Sequence, residues 1–154
     1  MDTAKEIARH IREIHVGNNW TDSCIKDAVN DVSWQEAIAK PVEANTVATL
    51  VFHMNFYLNI VHDRLSGGGL NFTQEQSLAA PVIASEDDWQ QLLNKTFADA
   101  EAFAQTIEQL NEERLEQEIA AGYGSVYKNL QGVAEHNHYH LGQIVLLKKI
   151  IRQK

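Results

Sequence analysis

Residues 135–150 read EHNHYHLGQIVLLKKI, and how their histidines fall among their apolar residues decides how the chain folds. On a helix each residue advances about 100°, so His136 and His140, four apart, return to within about 40° of one another. Val133, Ile144, Leu147 and Ile151 fall on the same side. His138, between the pair, is turned about 200° from His136 and faces away. Two imidazoles therefore sit inside the apolar stripe that a helix turns toward a core. Burying polar rings there is costly unless their nitrogens are satisfied. Hydrogen bonds within the core would satisfy them, and so would a metal ion.

Upstream, three more long helices are legible. The first is expected from about Thr3 to His15, with Ala4, Ile7, Ala8, Ile11 and Ile14 on one side and Gly17-Asn18-Asn19 as its stop. A less regular segment follows. In it Ser33 and Glu36 form a capping box for a short helix ending before Pro41. The second long helix spans about Asn45 to Leu65 and stops at Ser66-Gly67-Gly68-Gly69. It is apolar around most of its circumference, apart from a narrow strip of Asn55, Asn59 and His62. Such a helix is either central or pressed against a second subunit. Residues 70–84, with Pro81, read as a loop, and Ser85 with Asp88 caps a third helix running to about Leu110. Residues 121–127, AGYGSVY, are too rich in glycine and aromatics for a helix and read as extended. The last helix is expected from about Asn129 to Ile151, with Lys148, Lys149 and Arg152 complementing the dipole at its end. No alternating strand pattern of any length appears. The expected fold is all-α: a four-helix bundle with short extra helices in the connections, forming a single domain over residues 1–154.

Composition narrows the function classes. An apolar share of 44% and a charged share of 22% are those of a soluble globular protein. A net charge of -8 opposes binding to a phosphate backbone, so no nucleic-acid partner is expected. The most apolar stretch, Val47 to Leu65, is broken by His53, Asn55, Asn59, His62, Asp63 and Arg64, too many polar groups for a membrane span. Cys24 is the only cysteine, which fits a reducing cytoplasm. Asp22 and Asp27 flank it and disfavour its thiolate, so it reads as a small inert side chain. Trp20, Trp34 and Trp89 read as packing anchors.

A catalytic zinc-type site uses three protein donors and keeps one position open. If His136 and His140 are two of them, the third must come from another helix. His53 is the best candidate, because it shares a face with Leu50, Tyr57 and Ile60. His62 is about 180° round the same helix, and His10 and His15, five apart, cannot both aim at one ion. Gln143 lies on the face of His136 and His140, where its amide either supports a ligand, a metal-bound water or a substrate, or bonds to the backbone. Tyr57, one turn after His53, either brings a hydroxyl to the site or packs in the core. No separate nucleophile is apparent, and the catalytic residues are unassigned.

These residues resemble the DinB/YfiT-like superfamily of four-helix-bundle proteins. His53 within TLVFHMNFYL, the His136/His140 pair and the continuation Gly142-Gln143-Ile144 carry the resemblance, together with helix order over nearly the whole chain. The resemblance implies a divalent metal, usually nickel or zinc, on His53, His136 and His140, with open water positions. It also implies frequent homodimerisation. Characterised members include thiol S-transferases and isomerases that use a low-molecular-weight thiol such as bacillithiol or mycothiol. The expected function is thus a metal-dependent enzyme of transferase or hydrolase type acting on a small molecule. The rival reading is a non-catalytic dimeric ligand-binding or stress-associated bundle whose metal site is structural or vestigial.

Overall fold

The computed structural model describes residues 2–69 and 71–153; Met1 and Lys154, the ends of the expected domain, and Leu70, the start of the expected loop, lie outside them. In chain order the helices are α1 (Thr3–Val16), α2 (Ile25–Val29), α3 (Trp34–Ile38), α4 (Val47–Leu65), α5 (Gln74–Leu78), α6 (Glu86–Glu108), α7 (Glu112–Glu116) and α8 (Val126–Arg152). The four long ones form the bundle and the four short ones lie in its connections, as the periodicity predicts. Among the described residues there is no strand, only an isolated bridge between Glu118 and Ser125.

Each long helix begins where a short polar side chain takes an orphan N–H. Asp2, Thr46, Ser85 and Ser125 accept from the backbone of Lys5, Thr49, Asp88 and Lys128. The Ser33–Glu36 capping box forms as expected. The Ser85–Asp88 pair forms only half of one, because the Asp88 carboxylate reaches the N–H of Ala84 rather than that of Ser85.

Two expectations about the connections need correction. The last helix starts at Val126, three residues early: Gly122 and Gly124 adopt positive φ, and Ser125 then caps the helix at once. Only residues 121–125 are non-helical, and Val126 and Tyr127 belong to α8. The expected loop 70–84 contains α5, opened by a capping box between Thr73 and Gln76.

Helix α1 packs on α6 and α8, and α4 packs on the same two, so α1 and α4 are diagonal. Asn55 meets Asp99 and His62 meets Thr106, both pairs 44 residues apart, so α4 and α6 run parallel. His53 meets His136 while Arg64 meets Tyr123, so α8 runs antiparallel to α4. A parallel pair forces the chain between α4 and α6 to travel back along the bundle, and α5 packs on α4 during that return.

The core is one contiguous cluster centred on Trp89, Phe103, Ile11, Met54, Leu58 and Ile144. The Trp89 ring is fully buried and its Nε1–H donates to Val32 O at 2.8 Å. Trp34 packs against the core from its edge. Trp20 does not: it is 96% exposed, one residue beyond the buried Asn19 that pins this turn through Glu13 O and Ser23 O. At the end of α8, Lys148 and Arg152 pair with Asp31, and Arg152 also grips Glu36, fastening the helix to the α2–α3 region.

The polar strip of α4 explains why that helix is apolar elsewhere. It faces α6 within the same chain. Asn55 and Asn59 each donate to Asp99 Oδ2 at 2.7 Å, and Lys95 joins them at 2.7 Å. Burial would raise the Asp99 carboxyl, but Lys95 and the two amides outweigh it and hold the group below the usual range. Packing on α3, α5, α6 and α8 gives the helix the central placement that its composition allows. Met54 lies in the core, while Phe52 and Phe56 are half-buried.

Two predictions test this packing. Asp99→Ala leaves the buried Asn55 amide without its acceptor and should cost about 1–3 kcal/mol in urea unfolding; a loss under about 0.5 kcal/mol would show the strip to be inert. His15 is buried, its Nδ1–H donates to Ile11 O at 2.7 Å, and burial pushes its pKa down to about 4. The unfolded chain, with an ordinary histidine near 6.5, therefore takes up this proton first as pH falls. The contribution is complete above about pH 6.5 and is lost between there and pH 4, up to about 3 kcal/mol. His15→Gln should lower stability at pH 7 yet flatten its fall toward pH 4.5; equal slopes in both proteins would refute this.

Candidate metal centre

Antiparallel packing brings His53 from α4 against His136 and His140 from α8. The Nε2 of His136 lies 3.2 Å from that of His53 and 3.1 Å from that of His140. One nitrogen from each ring falls within a common 4.8 Å span, so the three can hold a metal ion. His53 and His136 are half-buried and His140 is buried.

The outer nitrogens fix what the inner ones offer. His53 Nδ1 lies 3.0 Å from the carbonyl oxygen of Ser77, and His140 Nδ1 lies 2.7 Å from Gln143 Oε1. Carbonyl oxygens only accept, so both Nδ1 atoms carry their hydrogen. In the neutral form of either ring, Nε2 is then a bare lone pair. His136 Nδ1 is buried without a partner among the described residues.

Burial, then the neighbouring His140 and His53, pushes the pKa of His136 down to about 4. Burial also lowers His140, against the hydrogen bond that its Nδ1–H donates to Gln143 Oε1. With the hydrogens of His53 and His140 held on Nδ1, only a hydrogen on His136 Nε2 could lie between the rings. Two nitrogens each about 2.0–2.1 Å from one ion lie about 3.0–3.4 Å apart, and the separations of His136 Nε2 from its two neighbours fall in that range. The donor chemistry and the spacing both suit a divalent cation.

Aromatic rings wall the cluster. Tyr57 sets its ring edge-on to His53 and His136, with centroids 5.0 and 4.9 Å away, and Tyr139 packs on His140 at 4.9 Å. Among the described residues the Tyr57 hydroxyl has no hydrogen-bond partner. It borders a cavity of about 380 Å³ that His136 also lines.

The remaining histidines lie elsewhere. His10 and His138 stack on one another across α1 and α8. His15 bonds to the main chain, and His62 bonds to Thr106 at 2.8 Å. Cys24 is buried, and burial pushes its thiol pKa up, as suits an inert side chain.

Sequence reasoning brought Gln143 to the cluster but missed Ser77. Its contribution is a backbone carbonyl on α5, which no side-chain pattern encodes. The Thr73–Gln76 capping box was the available signal that something ordered stood there.

Comparison with known proteins bears on the fold and the family. The family model for the DinB superfamily matches residues 25–144, more than three quarters of the chain. A solved structure, described as a conserved protein from Enterococcus faecalis, superposes with a TM-score of 0.70 at 17% identity, covering 99% of this chain and 96% of the other. At that identity the likeness speaks for the fold alone. No curated protein matches the chain. The family match covers α2 through most of α8 and includes all three clustered histidines, and the chain belongs to the DinB superfamily.

Proposed function

We propose that His53, His136 and His140 hold one divalent ion, nickel or zinc, and that the protein is a metal-dependent enzyme of transferase or hydrolase type acting on a small molecule. The observation that carries the proposal is the set of converging Nε2 atoms, two of them stripped of hydrogen by the carbonyls of Ser77 and Gln143. Imidazole donors suit nickel and zinc. When bound, the ion supplies Lewis acidity, lowering the pKa of a coordinated water or thiol and polarising an electrophile beside it.

The chain's own residues do the rest. Ser77 and Gln143 hold two of the rings in one tautomer and orientation. Tyr57 borders the cavity with an unengaged hydroxyl, placed to meet a substrate. Among the described residues the cluster has three donors rather than four, which leaves a coordination position for that substrate and favours catalysis over a closed structural site. From the family resemblance we infer a low-molecular-weight thiol as co-substrate and assembly as a homodimer, and from the single cysteine a reducing cytoplasm.

Elemental analysis of untagged protein should find about one divalent ion per chain, and His140→Ala should hold far less; equal contents would refute the assignment. Gln143→Ala should weaken metal affinity about 10–100-fold while leaving the fold intact by circular dichroism. Chelation should lower the melting temperature of the native protein and leave that of His140→Ala unchanged. Adding a thiol to the cobalt-loaded protein should shift its visible absorption bands; an unchanged spectrum would remove the thiol from the proposal.

A further inference from the structure

Arg64 is 8% exposed, and among the described residues no carboxylate pairs with it. The other four arginines are all engaged. Arg9 pairs with Glu6 and Glu13, Arg12 with Glu101 and Glu108, Arg152 with Asp31 and Glu36, and Arg114 donates to Glu118 O. Among the described residues no carboxylate or carbonyl takes a hydrogen bond from Arg64. Its guanidinium lies instead over the Tyr123 ring, 3.8 Å from the centroid, with Phe72 at 5.9 Å. Ring faces hold a guanidinium in place but accept none of its five N–H bonds in the plane. In a chain of net charge -8, with carboxylates abundant, a buried arginine without one is a site shaped for an acceptor from outside.

The same cavity that Tyr57 and His136 border at one end is lined at the other by Arg64, Lys128 and Asn129. Lys128 makes no ion pair among the described residues. The Asn129 amide donates to Tyr123 O at 2.8 Å and Ser125 O at 2.9 Å, fixing the loop that carries the ring under Arg64. Asn129 and His136 are two helical turns apart, so the cationic end stands about 10 Å from the imidazoles.

We propose that Arg64, with Lys128, is a receptor for the oxyanion of the substrate, a carboxylate or phosphate carried about 10 Å from the reacting atom. The planar fork of Arg64 accepts either group in two-point fashion, and Lys128 adds a mobile second charge at the rim. The receptor itself stands on the geometry of this cavity. Its role in placing a substrate rests on the histidine cluster being the reaction centre.

The test uses the full-length protein, metal-loaded and chelated, titrated with inorganic phosphate at constant ionic strength. Magnetic resonance follows the Nε–H of Arg64 and the backbone N–H of Lys128. Both should shift saturably, with a Kd on the order of 1–10 mM. Lys128→Gln, an exposed change, should weaken binding about fivefold, and Arg64→Lys about tenfold, since one ammonium replaces a two-point fork. Arg64→Met, with its fold checked by circular dichroism, should abolish the Lys128 shift while retaining its metal. His136→Ala should lose metal and still bind phosphate. No saturable shift in the native protein, or affinities in Lys128→Gln and Arg64→Lys equal to that of the native protein, would overturn the receptor. Phosphate binding in a native protein that holds no metal would leave the receptor standing and defeat only its link to catalysis.

Discussion

Imidazole lone pairs aimed at one point repel, and a cluster at least half-buried gives them little water to soften that repulsion. Here the arrangement is imposed from outside the cluster. A backbone carbonyl behind His53 and an amide oxygen behind His140 claim the hydrogens that would otherwise sit between the rings. The inner nitrogens are left electron-rich and close, which is the condition a cation relieves. The site therefore depends on its supporting acceptors as much as on the histidines.

The two sides of α4 carry different polar tasks, and this explains its unusual composition. Toward α6 it presents Asn55, Asn59 and His62, which meet Asp99 and Thr106 and fix the parallel register of the pair. Toward α8 it presents His53, Tyr57 and Arg64. The register fixed on one side sets the height at which His53 meets its partners on the other. Apolar residues fill the remaining circumference because α3, α5, α6 and α8 together enclose the helix.

The sequence disclosed what depends on period and spacing. Helical stripes placed the long helices and put Gln143 on the face of the histidine pair, and the lone apolar-face histidine of α4 named the third imidazole. Features resting on main-chain atoms or distant loops were not legible. Ser77 contributes through its carbonyl, and Tyr123 reaches Arg64 only because two positive-φ glycines turn its loop back over the bundle. Arg64 stands eleven residues after His53 on the same helix, about 16 Å along its axis. A cavity nevertheless joins the two regions, and residue spacing alone does not reveal cavities. Trp20 misled for the opposite reason: size suggested burial, while the adjacent turn needed only Asn19 inside.

Because α4 and α6 point the same way, their connection has to recross the length of the bundle, and it does so directly over His53. The crossover is thus a roof whose span the topology demands and whose makeup the core scarcely constrains. Lengthening or shortening it in a related chain would reshape access to the imidazoles, and the orientation of one of them, without altering a single donor. A scaffold built this way can diversify its chemistry by editing a strap while its bundle stays the same.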